Sequence, residues 1–179
     1  MFPILETERL ILREIIKEDA DVVFTTFSND DVIRYYGQEK LKSIEEAEKI
    51  IDIFSAAYSG KRGIRWGIER KDTQEIIGTI GFHAWLPNYK RAEIGYEIHP
   101  KHWRNGYTYE ALLEIIPYGF GVLGLARIGA IVFTENEASN KLLTKIGFQN
   151  EGLLRNYMYQ NGEPHDTYIY SLLNNEMTM

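Results

Sequence analysis

The order in which strand-like and helix-like patterns succeed one another limits the folds open to this chain. Residues 9–15 alternate as a first strand, and two helical segments follow it. Three strand patterns come next, then a helix, a strand, a helix and two strands that flank Asn161-Gly162, a favoured hairpin turn. This order predicts an α+β, or mixed α/β, fold in which helices pack on a central sheet.

Turn and capping residues set most of the element boundaries. Ser43 and Glu46 have the spacing of a capping box, and Gly60 ends the helix that they begin. Pro87 marks a turn within an antiparallel meander, and Pro117 is expected to kink or break the helix that contains it. We predict helices at 19–28, 44–59, 106–123 and 136–146, and strands at 9–15, 64–70, 75–84, 91–99, 128–133, 153–160 and 167–173.

Length and composition indicate a single intracellular domain. The 179 residues are enough to enclose one hydrophobic core, and because we find no linker or repeat we expect one domain over residues 1–179. The chain has no cysteine, which fits a reducing compartment, and its first residues are acidic where a signal peptide is basic and apolar. We therefore expect a soluble, cytoplasmic protein without a membrane partner.

Charge and residue content disfavour several function classes. The net charge of −6 argues against binding to a nucleic-acid backbone and slightly favours a cationic partner such as an amine. The four histidines lack the spacing and the acidic or cysteine partners of a metal site, so we expect no bound metal. The Gly-x-Ser-x-Gly elbow of serine hydrolases does not occur in the sequence.

The stretch from Ile98 to Ala111 has the features of a phosphate-binding turn. It passes from a strand end through a short turn into a helix, with Gly106 near the first helical turn. Backbone N–H groups at a helix start are unpaired and the helix dipole is positive there, so this position favours an anion. Glycine lets an anion approach the backbone closely, although a lone glycine at a helix start is also common in plain turns.

Four stretches together resemble the GNAT superfamily of N-acetyltransferases, and in particular its RimJ/RimL branch. The turn at 103–108 reads Trp-Arg-Asn-Gly-Tyr-Thr, against the family's pyrophosphate-loop pattern Gln/Arg-x-x-Gly-x-Gly/Ala, so that Thr108 replaces a smaller residue. Residues 5–13 are similar to the N-terminal signature of the branch, 136–148 to its second CoA helix and 152–172 to its closing hairpin. The resemblance implies the GNAT fold, a mostly antiparallel central sheet with helices on both faces.

The resemblance also implies acetyl-CoA as co-substrate, held between two parallel strands that splay apart. These would be the strands of Glu93 and Ile128, and backbone groups near Ile98 would pair with the pantetheine arm. Asn136 and Ser139, at the start of the next helix, would contact the co-substrate as well, and Asn136 is equally a favoured N-cap. The pyrophosphate would lie on the loop made by Trp103, Arg104, Asn105, Gly106, Tyr107 and Thr108.

Acetylation of an amine by a thioester needs a base for the amine and a proton for the departing thiolate. Glu93 and Glu97 share one face of their strand, and Glu93 is the first candidate for the base and Glu97 the second. Many GNAT enzymes carry a tyrosine as the acid where this chain has Leu143, whereas the RimJ/RimL branch offers a serine, here Ser139. Each of the three candidates is also compatible with an ordinary solvated side chain.

The acceptor and the oligomeric state stay open at this point. The resemblance favours the N-terminal amine of a protein, of the ribosomal type, and a small amine such as a polyamine, an amino acid or an aminoglycoside-like drug is the alternative. The absent helix tyrosine and Thr108 leave a third hypothesis, a CoA-binding sensor that does not catalyse. Coiled-coil heptads do not occur, and both a monomer and a homodimer are compatible with the sequence.

Overall fold

The computed structural model describes residues 1–176, over which one eight-stranded sheet carries five α-helices. Residues 177–179, which the predicted domain of 1–179 includes, lie outside the described part. The strands are β1 (Leu5–Glu6), β2 (Leu10–Glu14), β3 (Ile64–Arg70), β4 (Ile76–Leu86), β5 (Arg91–Ile98), β6 (Arg127–Phe133), β7 (Gln149–Gln160) and β8 (Glu163–Leu173). The helices are α1 (Ala20–Phe27), α2 (Asp30–Ile33), α3 (Ile44–Ser59), α4 (Tyr107–Gly121) and α5 (Glu137–Ile146).

The sheet is antiparallel except at its centre. Its strand order is β1-β2-β3-β4-β5-β6-β8-β7, and β3, β4 and β5 form the predicted meander. Strands β5 and β6 are parallel, because helix α4 connects them and returns the chain to the same end of the sheet. The predicted mixed sheet with a mostly antiparallel arrangement is confirmed.

The parallel pair opens into a V-shaped gap after a short paired stretch. Within residues 1–176, the β5–β6 register covers Arg91–Arg127, Ala92–Ile128 and Glu93–Gly129 and then ends. Beyond Glu93 strand β5 continues to pair with β4, and beyond Gly129 strand β6 continues to pair with β8. The edges of the two strands that face the gap are therefore available to hydrogen-bond a third, extended group.

Helices cover both faces of the sheet. On one face α4 and α5 pack on the larger core, which includes Trp66, Phe82 and Leu112, and on the other α1 and α3 pack on a smaller core around Phe27 and Ile51. Alternate residues of β5 and β6 point to opposite faces, so the two strands present different side chains to each helical layer. Of the helices in the described residues, none is long and apolar enough to cross a membrane.

Most predicted elements agree with the structure, and the exceptions have local causes. Helix α4 runs through Pro117 without a break, so of the predicted kink or break the break is wrong. Pro117 and Leu113 both lie on the exposed side of α4, where water can bond the Leu113 carbonyl that loses its N–H partner.

The capping box is half formed: Ser43 accepts from the Glu46 N–H, while the Glu46 carboxylate bonds the N–H of Lys42 at 2.7 Å. Two short elements, β1 and α2, were not predicted.

Candidate active site

Glu93 lies at the point where β5 and β6 separate. It pairs with Gly129 in the last rung, and a cleft beside it is lined by Gly129 and Ile131 of β6. The His83 Nε2 atom is 3.4 Å from its Oε2, and 35% of the Glu93 side chain is exposed. The hydrogen bond from His83 lowers the pKa of Glu93 against the opposing effect of burial. Glu93 is thus an accessible carboxylate that is ionised at neutral pH.

Glu97 has a different environment although it shares the strand face with Glu93. Its carboxylate is 8% exposed and forms an ion pair with Arg65, whose side chain is 10% exposed. The Thr79 hydroxyl accepts from Arg65 at 2.9 Å and donates to Glu97 at 3.0 Å, which closes a three-residue cluster. The second candidate for the base is therefore held by two neighbours inside the protein.

Tyr96 and Ser139 join the two sides of the gap on the opposite face. Tyr96 lies on β5 beyond the last rung, and its hydroxyl is 2.6 Å from the Ser139 Oγ atom in the first turn of α5. Asn136 is the N-cap of this helix, as predicted, and its side-chain oxygen accepts from the Ser139 N–H at 3.2 Å. Leu143 is fully buried in the larger core.

The predicted phosphate loop enters α4 through two residues with positive φ angles. Gly106 is the N-cap of α4 with φ +79°, and Arg104 also has a positive φ of +62°. No side chain in residues 1–176 caps the helix, so the N–H groups of its first turn, which includes Tyr107 and Thr108, point out unpaired. Asn105 braces the loop through bonds from its side-chain nitrogen to the carbonyls of residues 102 and 103.

Trp103 and Ile98 form a contact that the sequence did not predict. The Trp103 indole N–H donates to the Ile98 carbonyl at 2.6 Å, so this carbonyl already has a protein partner. The Ile98 side chain is buried in the larger core. This bond ties the end of β5 to the first residue of the predicted phosphate loop.

Arg9 and Glu110 attach the phosphate loop to the N-terminal strands. The Glu110 carboxylate accepts from the Arg9 backbone at 2.8 Å, from Arg9 Nε at 2.6 Å and from the Thr7 hydroxyl. Arg9 Nη1 donates to the Asn105 carbonyl at 3.0 Å, and its guanidinium lies 4.6 Å from the centre of the Tyr107 ring. The N-terminal signature thus holds the loop and the start of α4 in place.

An aromatic group lies on the Glu93 face of β6, further along the gap. Phe133 is buried, stacks on His165 at 4.9 Å between ring centres and meets the edge of Tyr35 at 6.2 Å. Gln160 fixes the neighbouring chain by donating to the Ile33 carbonyl at 2.7 Å and accepting from the Gly37 N–H at 3.0 Å. The segment after α2 and the β7–β8 hairpin therefore flank the gap together.

The structure brings the candidate residues into two groups. Glu93, Ser139 and Asn136 surround the gap, and the loop of 103–108 lies beyond the far end of β5. The partners Tyr96, Arg65 and Arg9 were missed, because each contact joins residues more than thirty positions apart in sequence and no local pattern encodes it. Only the position of Tyr96 between the two glutamates, on the other face of β5, was available from the alternation of the strand.

Comparisons with known proteins agree with this architecture. Residues 9–149 match the model of the acetyltransferase (GNAT) domain. The uncharacterized N-acetyltransferase YoaA of Bacillus subtilis is 63% identical over 173 residues, which are 97% of this chain and 98% of YoaA. The spermidine N(1)-acetyltransferase of Escherichia coli is 28% identical over 153 residues, 85% of this chain and 79% of that protein. The structure of RimL, a ribosomal alpha-N-protein acetyltransferase in complex with coenzyme A, superposes with a TM-score of 0.86 at 21% identity, covering 96% of this chain and 98% of RimL.

Proposed function

Because the chain belongs to the GNAT acetyltransferase family, and is an N-acetyltransferase by that membership, we propose that it acetylates the N-terminal amine of a protein with acetyl-CoA. The observation that carries the proposal is the β5–β6 ladder, which opens directly after Glu93 and leaves two free strand edges beside an accessible carboxylate. We assign the activity to residues 1–179 as one cytoplasmic domain, in line with the cysteine-free sequence.

The residues around the gap fit acetyl-CoA in their chemistry. The unpaired N–H groups at the start of α4, after the positive-φ Gly106, suit a pyrophosphate, and the free edges of β5 and β6 suit the amides of the pantetheine arm. Asn136 is placed to contact the arm with its side-chain nitrogen, since its oxygen caps α5. When bound, the co-substrate supplies the thioester carbonyl that the amine attacks.

Glu93 takes the proton that the amine must lose. The neutral amine nitrogen forms a bond to the thioester carbon, the C–S bond breaks, and the proton of the new N–H₂⁺ centre passes to the Glu93 carboxylate directly or through one water. The ammonium centre of such an adduct is strongly acidic, so a carboxylate with a lowered pKa is a sufficient base. Glu97 is better suited to holding Arg65, because its oxygens already accept from Arg65 and Thr79.

Ser139 is the residue of α5 that meets the departing sulfur. It lies in the first turn of α5, directly after β6, and faces Tyr96 across the gap. The position that carries the tyrosine acid in many family members is Leu143, which is buried and has no proton to give. We therefore place the Ser139 hydroxyl at the thiolate.

The choice of acceptor rests on the sequence signatures and on amine chemistry. The segments at 5–13, 103–108 and 152–172 resemble the RimJ/RimL branch, which acts on protein N-termini. An α-amine has a pKa near ~8, against ~10.4 for a primary alkyl amine such as that of lysine, so more of it is neutral and reactive at pH 7. Gln160 bonds the β7–β8 hairpin to the segment after α2, and we propose that an extended peptide end lies along these joined segments.

A small polyamine is the second candidate acceptor. One relative, whose alignment covers 85% of this chain, is a spermidine N(1)-acetyltransferase. The net charge of −6 on this chain attracts polycations. Such an acceptor would be drawn to the accessible Glu93 carboxylate by charge.

Thiol release from acetyl-CoA distinguishes these acceptors. The assay compares short peptides with free N-termini, the same peptides with blocked N-termini, spermidine and an aminoglycoside, and mass spectrometry locates the acetyl group. We expect turnover with the free peptides and none with the blocked ones. Turnover with spermidine alone would establish the second candidate, and CoA binding without turnover of any amine would support a sensor and overturn the proposal.

A further inference from the structure

A hydrogen bond between two hydroxyl groups bridges the gap on the face away from Glu93. The Tyr96 and Ser139 oxygens are 2.6 Å apart, within the range of a strong O–H···O bond. Tyr96 belongs to β5 and Ser139 to α5, the helix that follows β6, so the bond links one strand of the gap to the helix that continues from the other. Its neighbour on α5, Asn140, is held separately by the Tyr170 hydroxyl at 2.9 Å.

We propose that Tyr96 is a positioning residue that donates its hydroxyl proton to Ser139 and thereby directs the Ser139 hydroxyl to the leaving thiolate. The inference rests on the proposed acetyl transfer and deepens the role of Ser139 in it. A hydroxyl has a single proton to donate, so Ser139 can serve the sulfur only if it accepts, rather than donates, in its bond with Tyr96.

The chemistry of the two hydroxyls favours this direction. A phenol is a stronger acid than an aliphatic alcohol and is therefore the better donor between them. Hydrogen bonds in a chain strengthen one another, so a Ser139 hydroxyl that accepts from Tyr96 is a stronger donor to a thiolate than an isolated serine. Asn136 and the α5 backbone fix the Ser139 main chain, which leaves the direction of its hydroxyl to Tyr96.

The pair acts as a hydrogen-bond chain and keeps both of its protons. Burial raises the pKa of Tyr96 to about 12, whereas a free thiol titrates near ~8.5, so transfer of the Tyr96 proton to the sulfur would be unfavourable. The C–S bond electrons leave with sulfur as a thiolate stabilised by Ser139, and the thiolate takes its final proton from solvent. The proton lost by the amine goes to Glu93, so that charge and atoms balance.

Substitution of Tyr96→Phe, with Ser139→Ala beside it, tests the inference. Hydrogen bonds to charged groups contribute enough that we expect kcat to fall about tenfold or more in each single variant. The double variant should fall no further than Ser139→Ala, because the two hydroxyls act through one bond. The dissociation constant of CoA, measured by calorimetry, should change less than about twofold.

A measurement without turnover gives a second readout. The thiolate of bound CoA absorbs in the ultraviolet, and the difference between complexes with CoA and with desulfo-CoA isolates its titration from that of the protein's tyrosines. We expect the thiol of bound CoA to titrate about one pH unit higher in Tyr96→Phe than in the wild type, which corresponds to a tenfold loss of thiolate stabilisation. Tyr170→Phe, which removes the hydroxyl bonded to Asn140, is the matched control and should leave both kcat and this titration unchanged.

Any one of several results would overturn the inference. One is a wild-type kcat in Tyr96→Phe, and another is additive losses of kcat in the double variant. A third is tighter CoA binding in Tyr96→Phe, which would mean that CoA has to break the Tyr96–Ser139 bond in order to bind. If the wild type turns over no amine, the proposed function fails, and the titration of bound CoA still decides whether Tyr96 acts on the thiolate. If Ser139→Ala keeps full activity while Glu93→Gln loses it, the proposed acetyl transfer is retained and the proposed role of the Tyr96–Ser139 hydroxyl pair is rejected.

Discussion

Glu93 lies opposite Gly129 in the last residue pair that joins β5 to β6. A Cβ atom at residue 129 would be 3.6 Å from the Cγ atom of Glu93, so the carboxylate-bearing side chain passes over the glycine. The strand pairing therefore fixes the base candidate at the apex of the gap, where the thioester carbonyl of an inserted co-substrate and the acceptor amine can meet. Glu93 therefore combines a position at the apex of the gap with a carboxylate that is able to accept a proton.

Glu93→Gln removes the base and keeps the shape of the side chain. We expect kcat to fall about a hundredfold, the lower range for loss of a general base, with little change in CoA affinity. Steady-state kinetics with a peptide acceptor and calorimetry with CoA measure the two quantities. Glu18→Gln, an exposed carboxylate before α1, is the control and should retain wild-type kinetics. A wild-type kcat in Glu93→Gln would exclude Glu93 as the base.

We expect His83 to set the acidic limb of the pH profile through its 3.4 Å contact with Glu93. That contact lowers the pKa of Glu93, and burial opposes it. If Glu93 is the base, it acts as a carboxylate, so kcat should be retained above its pKa and lost as pH falls through it. In His83→Ala the lowering by His83 is lost and only the charge of Arg91 still opposes burial, so the pKa of Glu93 rises and the limb should move to higher pH. Profiles of kcat at saturating substrates between about pH 4 and 7 test the direction of this shift. An acidic limb that stays in place or moves to lower pH in His83→Ala would contradict the prediction.

The parts of this site that sequence predicts are those encoded over a few residues. Asn136 before the α5 pattern gives the N-cap, Gly106 gives the start of α4, and the alternation of β5 places Glu93 and Glu97 on one face. The same alternation could not tell the exposed Glu93 from the buried Glu97. Their difference comes from Arg65 and Thr79, which neighbouring strands bring to Glu97 through long-range pairing.

Glu97→Gln should destabilise the fold. It leaves the buried Arg65 guanidinium without its counter-charge, and breaking a buried ion pair in this way costs about 3 kcal/mol of unfolding free energy. The double variant Arg65→Met/Glu97→Leu removes both charges and should lose less stability than Glu97→Gln alone. Urea denaturation measures both. A Glu97→Gln protein with wild-type stability and strongly reduced kcat would instead give Glu97 a catalytic role.

Arg9 and Glu110 should control acetyl-CoA binding without taking part in the chemistry. Glu110 is bonded by Thr7 and by two nitrogens of Arg9, and Arg9 in turn donates to the Asn105 carbonyl beside Gly106. Loss of this connection loosens the N–H groups that would face the pyrophosphate, which weakens ground-state and transition-state binding alike.

We therefore expect Glu110→Gln and Arg9→Ala each to raise the KM for acetyl-CoA several-fold while kcat changes little. The CoA dissociation constant should rise in parallel. Arg13→Gln is the matched control, because Arg13 belongs to the same N-terminal segment but pairs with Asp19 and Glu69, away from α4. Its KM should stay at the wild-type value even if its stability falls. Equal increases in KM for Arg13→Gln and Arg9→Ala would mean that the N-terminal strands affect the loop only through overall stability.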